Sequence, residues 1–88
     1  MKMNLLKSEL DNLKNGSVDM FSGYRLNEDG HPIDIHLYKR SDYYVVDDEW
    51  ENKKKRFFTR PQKAFEWFLN FADHCDIRHE DGTITELF

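Results

Sequence analysis

Residues 47–63, DDEWENKKKRFFTRPQK, contain the densest set of side chains able to do chemistry. Four carboxylates surround Trp50, and spaced carboxylates can bind a hard cation. Their order lacks the D-x-D-x-D-G pattern and closing Glu of a calcium loop, so we predict no metal site here. A tryptophan among acids is instead typical of an anchor for a basic protein surface, and a polar turn with Trp50 folded back on a sheet is the alternative. The predicted partner-binding residues are Asp47, Asp48, Glu49, Trp50, Glu51, Tyr38 and Trp67.

A basic stretch follows, in which six cations and no acid occupy residues 53–63. They are Lys53, Lys54, Lys55, Arg56, Arg60 and Lys63. On a strand, alternate side chains point to opposite faces, so Lys53 and Lys55 would contact a phosphate backbone separately from Lys54 and Arg56. The chain has 13 cations and 17 acids, which leaves seven cations against all 17 acids outside this stretch. Because the body is so acidic, lysines that protect a sheet edge are favoured over a nucleic-acid contact for this stretch. Nucleic-acid binding is kept as the alternative to a protein partner.

The histidines and the single cysteine do not form a recognisable catalytic or metal-binding pattern. His74, Cys75 and His79 are spaced H-C-x3-H, but no second cysteine exists and neighbouring helical side chains diverge by about 100°. We place Cys75 on the apolar face of a helix, where thiols are usually inert. No phosphate-binding loop, nucleophile elbow or zinc-protease motif occurs. We therefore predict no enzyme activity, catalytic residue, metal or cofactor.

The remaining composition predicts a small protein of a reducing compartment, which we take to be the cytoplasm. One cysteine cannot form an internal disulfide, the first ten residues lack the apolar core of a signal peptide, and no apolar run approaches the roughly 20 residues of a membrane span. We treat residues 1–88 as a single domain, which at this length buries about 60–65% of its unfolded surface. Thirteen aromatic residues exceed what so small a core needs, so some are expected to contact a partner.

The first half of the chain alternates between one helical and several extended patterns. A helix from Asn4 has leucines at helical spacing, and Val18 to Leu26 is an extended segment interrupted at Ser22 and Gly23. Residues 33–38 alternate as a half-buried strand with Asp34 and His36 outward, 43–46 are apolar on both faces as in a central strand, and 53–58 return as a strand.

The second half is dominated by a helix predicted over residues 61–74, with Pro61 at its first position and Thr59 and Gln62 forming a capping box. Its apolar face covers the sheet. Residues 77–88 contain Asp81-Gly82 between short Ile/Thr runs and predict a last hairpin or an edge strand. The fold class is α+β: a small antiparallel sheet of three to five strands covered by a C-terminal amphipathic helix, in the order α-β-β-β-α with a β-like tail.

Two known domains share parts of this pattern. The strand, turn, basic strand and helix around Phe57, Phe58, Thr59 and Ala64 resemble integrase arm-binding domains, whose sheet enters the DNA major groove. No glycine precedes the phenylalanines here. The α-β-β-β-α order is also that of the double-stranded RNA-binding domain, whose lysine-rich helix start is replaced by Arg60-Pro61-Gln62-Lys63.

In overall character the chain is similar to small phage-borne inhibitors such as anti-CRISPR proteins. It is short, acidic, rich in aromatic residues and limited to one cysteine. That resemblance implies a regulator or inhibitor and assigns no target. The acidic surfaces favour a partner with a basic, nucleic-acid-handling site.

Overall fold

The computed structural model describes residues 2–48 and 55–88, with side chains from Ser8 onward in the first of these segments. The elements in chain order are α1 (Lys2–Asn15), β1 (Val18–Leu26), β2 (Pro32–Arg40), β3 (Tyr43–Asp48), β4 (Lys55–Phe58), α2 (Pro61–Phe71), β5 (His74–His79) and β6 (Ile84–Glu86). The α+β class is confirmed. The predicted strand count and element order are wrong in detail, because the sheet has six strands, four of them between the helices. The tail forms a hairpin of β5 and β6, one of the two forms predicted for it.

All neighbouring strands of the sheet are antiparallel, in the order β4-β3-β2-β1-β5-β6. β1 to β4 form a meander in which each strand pairs with the next one along the chain. α2 then carries the chain from the edge strand β4 back across the sheet, so that β5 pairs with β1. β3 has a neighbour on each side, which confirms the interior position predicted for residues 43–46.

Both helices pack on the same face of the sheet and contact each other there. Strand alternation directs one set of apolar side chains toward them, as residues 33–38 predicted: Ile33, Ile35 and Leu37 are buried, while Asp34 is exposed and His36 half-buried. α2 contributes an apolar face to this core and α1 contributes Leu13. Within the described residues no helix is long and apolar enough to cross a bilayer.

Gly23 explains why β1 was predicted as an interrupted segment. The residue does not break the strand, which runs continuously from Val18 to Leu26. A Cβ atom at this position would lie 2.2 Å from the backbone carbonyl oxygen of His74. The glycine therefore allows the chain entering β5 to approach β1 closely, which is a recognised role of glycine within strands.

The bounds of α2 differ from the prediction at its C-terminal end. The helix ends at Phe71 instead of residue 74, because Ala72 adopts an extended backbone and its N–H donates to the Phe68 carbonyl. Cys75, predicted on the helix, is the second residue of β5 and pairs with Gly23 of β1. Its predicted burial is nevertheless observed, since it lies in the core.

The predicted capping box at the start of α2 is wrong. Pro61 occupies the first helical turn, but the N-cap is Arg60, whose φ of −101° and ψ of 121° are extended and whose side chain makes no capping hydrogen bond. Proline disfavours helical geometry in the residue before it, which moves the boundary to Arg60. Thr59 consequently lies one residue too far out to cap the helix.

Candidate functional site

The sheet separates the residues that the sequence grouped as one partner-binding set. Tyr38 and Asp47 lie on the face opposite the helices, which we call the open face. Asp48 lies on the helix side, as does Trp67 of α2. Glu49, Trp50 and Glu51 of the acidic set, together with Lys53 and Lys54 of the basic set, fall outside the described residues.

Asp48 and Arg56 were predicted in two competing sites, yet they bind each other. Asp48 is 1% exposed, and Arg56 of the neighbouring strand donates from Nη1 to its Oδ2. The guanidinium carbon of Arg56 also lies 3.9 Å from the centroid of the Trp67 ring, which stacks on Phe71 at 5.6 Å. We therefore correct the assignment of Asp48 as a surface contact, because its carboxylate is buried. The charge of Arg56 is correspondingly already paired.

The other described cations of the basic stretch do not share one surface. Lys55 is exposed on the open-face side of β4. Arg60 is exposed at the start of α2, and one turn further Lys63 has its Nζ 3.5 Å from Oε2 of Glu66. A phosphate backbone needs cations spaced along a continuous track, and these side chains do not provide one.

An aromatic cluster occupies the half of the open face formed by β2, β3 and β4. Cross-strand register places Phe57, Val45 and Tyr38 side by side on the three strands. The ring of Tyr43 meets Phe57 edge-on, with centroids 5.6 Å apart, and the guanidinium carbon of Arg40 lies 5.4 Å from the Tyr38 centroid. Phe57 is 63% exposed, whereas Val45 beneath these side chains is 2% exposed. The cluster is thus an apolar patch with a covered centre and exposed rings.

Beside it, a second row of side chains crosses the open face and carries mainly acidic charge. From β3 to β6 the acidic row consists of Asp47, His36, Ser22, Asp76 and Glu86. Lys55 lies at its β4 end, opposite Asp47. His36 is held by a hydrogen bond of 3.0 Å between its Nδ1 and the Ser22 hydroxyl. The open face therefore combines an aromatic half with an adjoining acidic strip.

Cys75 is chemically suited to packing rather than to nucleophilic attack. Burial, together with the smaller effect of the neighbouring Asp76 carboxylate, raises the pKa of its thiol to about 12. The thiolate, which is the reactive form, is therefore scarce near neutral pH. No group of three His, Cys, Asp or Glu side chains among residues 2–48 and 55–88 is arranged to hold a metal ion.

Sequence reasoning identified Tyr38 but did not include Tyr43, Phe57 and Arg40 in the candidate site. The pattern of residues 53–58 left the buried face of that strand ambiguous, because cations and phenylalanines occupy both faces. The missing information is the pairing of Val45 with Phe57, which aligns the outward side chains of β3 and β4. Register between strands is a tertiary property that alternation alone does not provide.

Comparison of the chain with protein-family models, with curated protein sequences and with solved structures finds no match. The geometry of the open face and the charge pattern therefore carry the functional argument.

Proposed function

We propose that this protein is a non-enzymatic binding protein that recognises a protein partner through the open face of its sheet. The observation that carries the proposal is the aromatic cluster: Tyr38, Tyr43 and Phe57 lie on a face against which neither described helix packs. A contiguous exposed apolar patch on a small soluble domain marks an interaction site more often than it occurs by chance.

The chemistry of the cluster matches that of binding hot spots. Tyrosine and arginine are enriched among residues that dominate binding energy, because they bury large areas and lose few rotamers. Arg40 and Tyr38 already contact each other, and Val45 provides a packed base beneath the rings. The cluster is therefore pre-organised, which lowers the entropic cost of association.

The charge pattern supports a partner with a basic surface. Asp47 of the acidic row adjoins the aromatic cluster on β3, Asp76 and Glu86 lie further along the row on β5 and β6, and the whole chain has a net charge of −4. Opposite charges steer association and fix the orientation of docking. Proteins that handle nucleic acids present such basic surfaces. The proposal thus extends to a regulator or inhibitor of a nucleic-acid-handling protein, of the type found in phages and mobile elements.

Nucleic-acid binding is the second candidate, and one observation favours it. Lys55 and Arg40 lie beside exposed rings on the same face, and unpaired bases stack on aromatic side chains without sequence preference. The acidic row and the pairing of Arg56 with Asp48 weigh against it.

A capture experiment with matched variants tests the proposal. The immobilised protein is exposed to a lysate, and each captured protein is purified and titrated against the chain by calorimetry. Phe57→Ser and Tyr43→Ser should weaken binding by about ten-fold or more. Leu26→Ser, which removes an apolar side chain of similar exposure at the far end of β1 from the cluster, should leave binding unchanged.

Charge reversal separates the steering role of the acidic row from the contact role of the rings. Asp76→Lys with Glu86→Lys should slow association and flatten its salt dependence while the dissociation rate changes little.

Equal binding by wild type and Phe57→Ser would overturn the proposal that the partner binds the open face. Tight binding of labelled single-stranded DNA or RNA at physiological salt, lost in Lys55→Glu, would establish the nucleic-acid candidate instead.

A further inference from the structure

A cleft on the helix side of the molecule lies between the end of β1, the start of β2 and the end of α2. It has a volume of about 280 Å³ and is lined by Arg25, Leu26, Asn27, Glu28, Ile33 and Phe71. This volume is near the lower end of ligand sites, which run from about 300 to 1,000 Å³. The cleft is therefore of a size for one small molecule rather than for a protein segment.

The base and one wall of the cleft are apolar. Phe71 and Ile33 belong to the buried core, and Leu26 is 56% exposed beside them. The guanidinium carbon of Arg25 lies 5.0 Å from the Phe71 centroid, so its charge is held at the edge of this apolar surface. An apolar group entering the cleft would cover Leu26 and displace water from Phe71.

The two charged side chains of the cleft, Arg25 and Glu28, have opposite charges but do not form an ion pair with each other. Among the described side chains, Arg25 and Glu28 line the same cleft without an ion pair of 4.0 Å or less between them. The Asn27 side chain is oriented by two hydrogen bonds, which its Oδ1 accepts from the backbone N–H groups of Asp29 and His31 at 2.9 and 3.0 Å. Its Nδ2 group is a further donor beside Arg25.

We propose that this cleft binds a free α-amino acid with an apolar side chain. The carboxylate would be held by Arg25 with the Asn27 amide, the ammonium group by Glu28, and the side chain by Phe71, Ile33 and Leu26. The ligand's two charges match the two unpaired charges of the cleft, whereas a simple anion would meet Glu28 and a simple cation would meet Arg25. The site is separate from the open face, so it does not depend on the function proposed above.

The test is a titration of the ¹⁵N-labelled protein with L-leucine and L-phenylalanine, followed by amide chemical shifts. Saturable shifts are expected at Leu26, Ile33 and Phe71. N-acetyl-L-leucine lacks the ammonium group and L-leucinamide lacks the carboxylate. Each should bind more weakly by about ten-fold or more, since each loses its hydrogen bonds to a charged side chain.

Two variants and one control assign the binding to this cleft. Glu28→Gln, at an exposed turn position, keeps the fold and should weaken L-leucine binding by about ten-fold, as should Arg25→Gln. Phe57→Ser, on the open face, should bind L-leucine as the wild type does. Absence of saturable shifts at the cleft, or equal binding of the N-acetyl derivative, would overturn the proposal.

Discussion

Arg56 contacts two side chains, Asp48 and Trp67, that the sequence pattern did not connect with it. Its guanidinium bonds to the buried Asp48 carboxylate and covers the Trp67 ring, linking β3, β4 and α2. The sequence placed the aspartate in an acidic set and the arginine in a basic one. Their partnership depends on the register between β3 and β4, in which Val46 pairs with Arg56 and Asp48 lies two residues further along on the same side.

The first prediction concerns this ion pair. Arg56→Met should lower the free energy of unfolding by about 2–3 kcal/mol, because it removes an ion pair and a hydrogen bond from the buried Asp48 carboxylate. Lys63→Met is the matched control: its pairing with Glu66 is on the surface, and its loss should cost less than about 1 kcal/mol. Both values are measured by urea denaturation.

A double variant tests whether this cost comes from the lost contact between Arg56 and Asp48. In the presence of Asp48→Asn, the Arg56→Met change should cost at least about 1 kcal/mol less than it does alone. Strict additivity of the two changes would contradict the assignment of Arg56 as the partner that compensates Asp48.

At the scale of elements, the start and the interior of α2 were predictable and its C-terminal end was not. Apolar residues at helical spacing identify Ala64, Phe65, Phe68 and Phe71 as the face that covers the sheet, and all four are buried. Cys75 continues the same helical spacing, but with Ile77 it also fits the two-residue period of a strand. Pairing with β1 decides between these patterns, and it involves residues more than fifty positions away.

The second prediction uses the uncapped start of α2. Arg60 has N-cap geometry but no capping side chain, and the first turn contains no acidic residue. Arg60→Asp should therefore raise the free energy of unfolding by about 1 kcal/mol. The carboxylate can accept a hydrogen bond from a backbone N–H of the first turn, and its negative charge interacts favourably with the positive end of the helix dipole. Thermal denaturation provides the measurement.

Thr59→Ala is the control for this cap. It should change stability by less than about 0.5 kcal/mol, because Thr59 lies outside the N-cap position. A larger loss of stability would indicate that Thr59 does cap the helix, as the sequence suggested.

For the molecule as a whole, local sequence patterns were enough to predict the fold class but not the order of the strands in the sheet. The strands of the meander pair with their sequence neighbours, which is the commonest arrangement and follows from short connecting turns. The pairing of β1 with β5 spans most of the chain and leaves no local signal. The candidate site shows the same division: Tyr38 was identified from its type, while Tyr43, Phe57 and Arg40 depend on how strands align.

The third prediction concerns the distribution of stability over the sheet. β1 lies between β2 and β5 and contributes fully buried Phe21, so its hydrogen-bonded amides should exchange most slowly. The edge strand β6 has three exposed residues and should exchange much faster. Native-state hydrogen exchange followed by NMR tests this order, and protection of β6 equal to that of β1 would contradict the strand order described here.

The crossing of the sheet by α2 determines where this chain can change in length. The helix bridges four strand spacings, about 19 Å at 4.8 Å each, and its 11 residues extend about 16 Å. Because β4 and β5 run in the same direction, the connection must also return along the strands, and α2 with its two short flanking segments covers this diagonal. An insertion in α2 would therefore move β5 away from its place beside β1. The turns at 27–31 and 80–83 join adjacent strands at the periphery and can lengthen at little cost. Length variation among related chains is thus expected in these turns, while α2 keeps a constant number of residues.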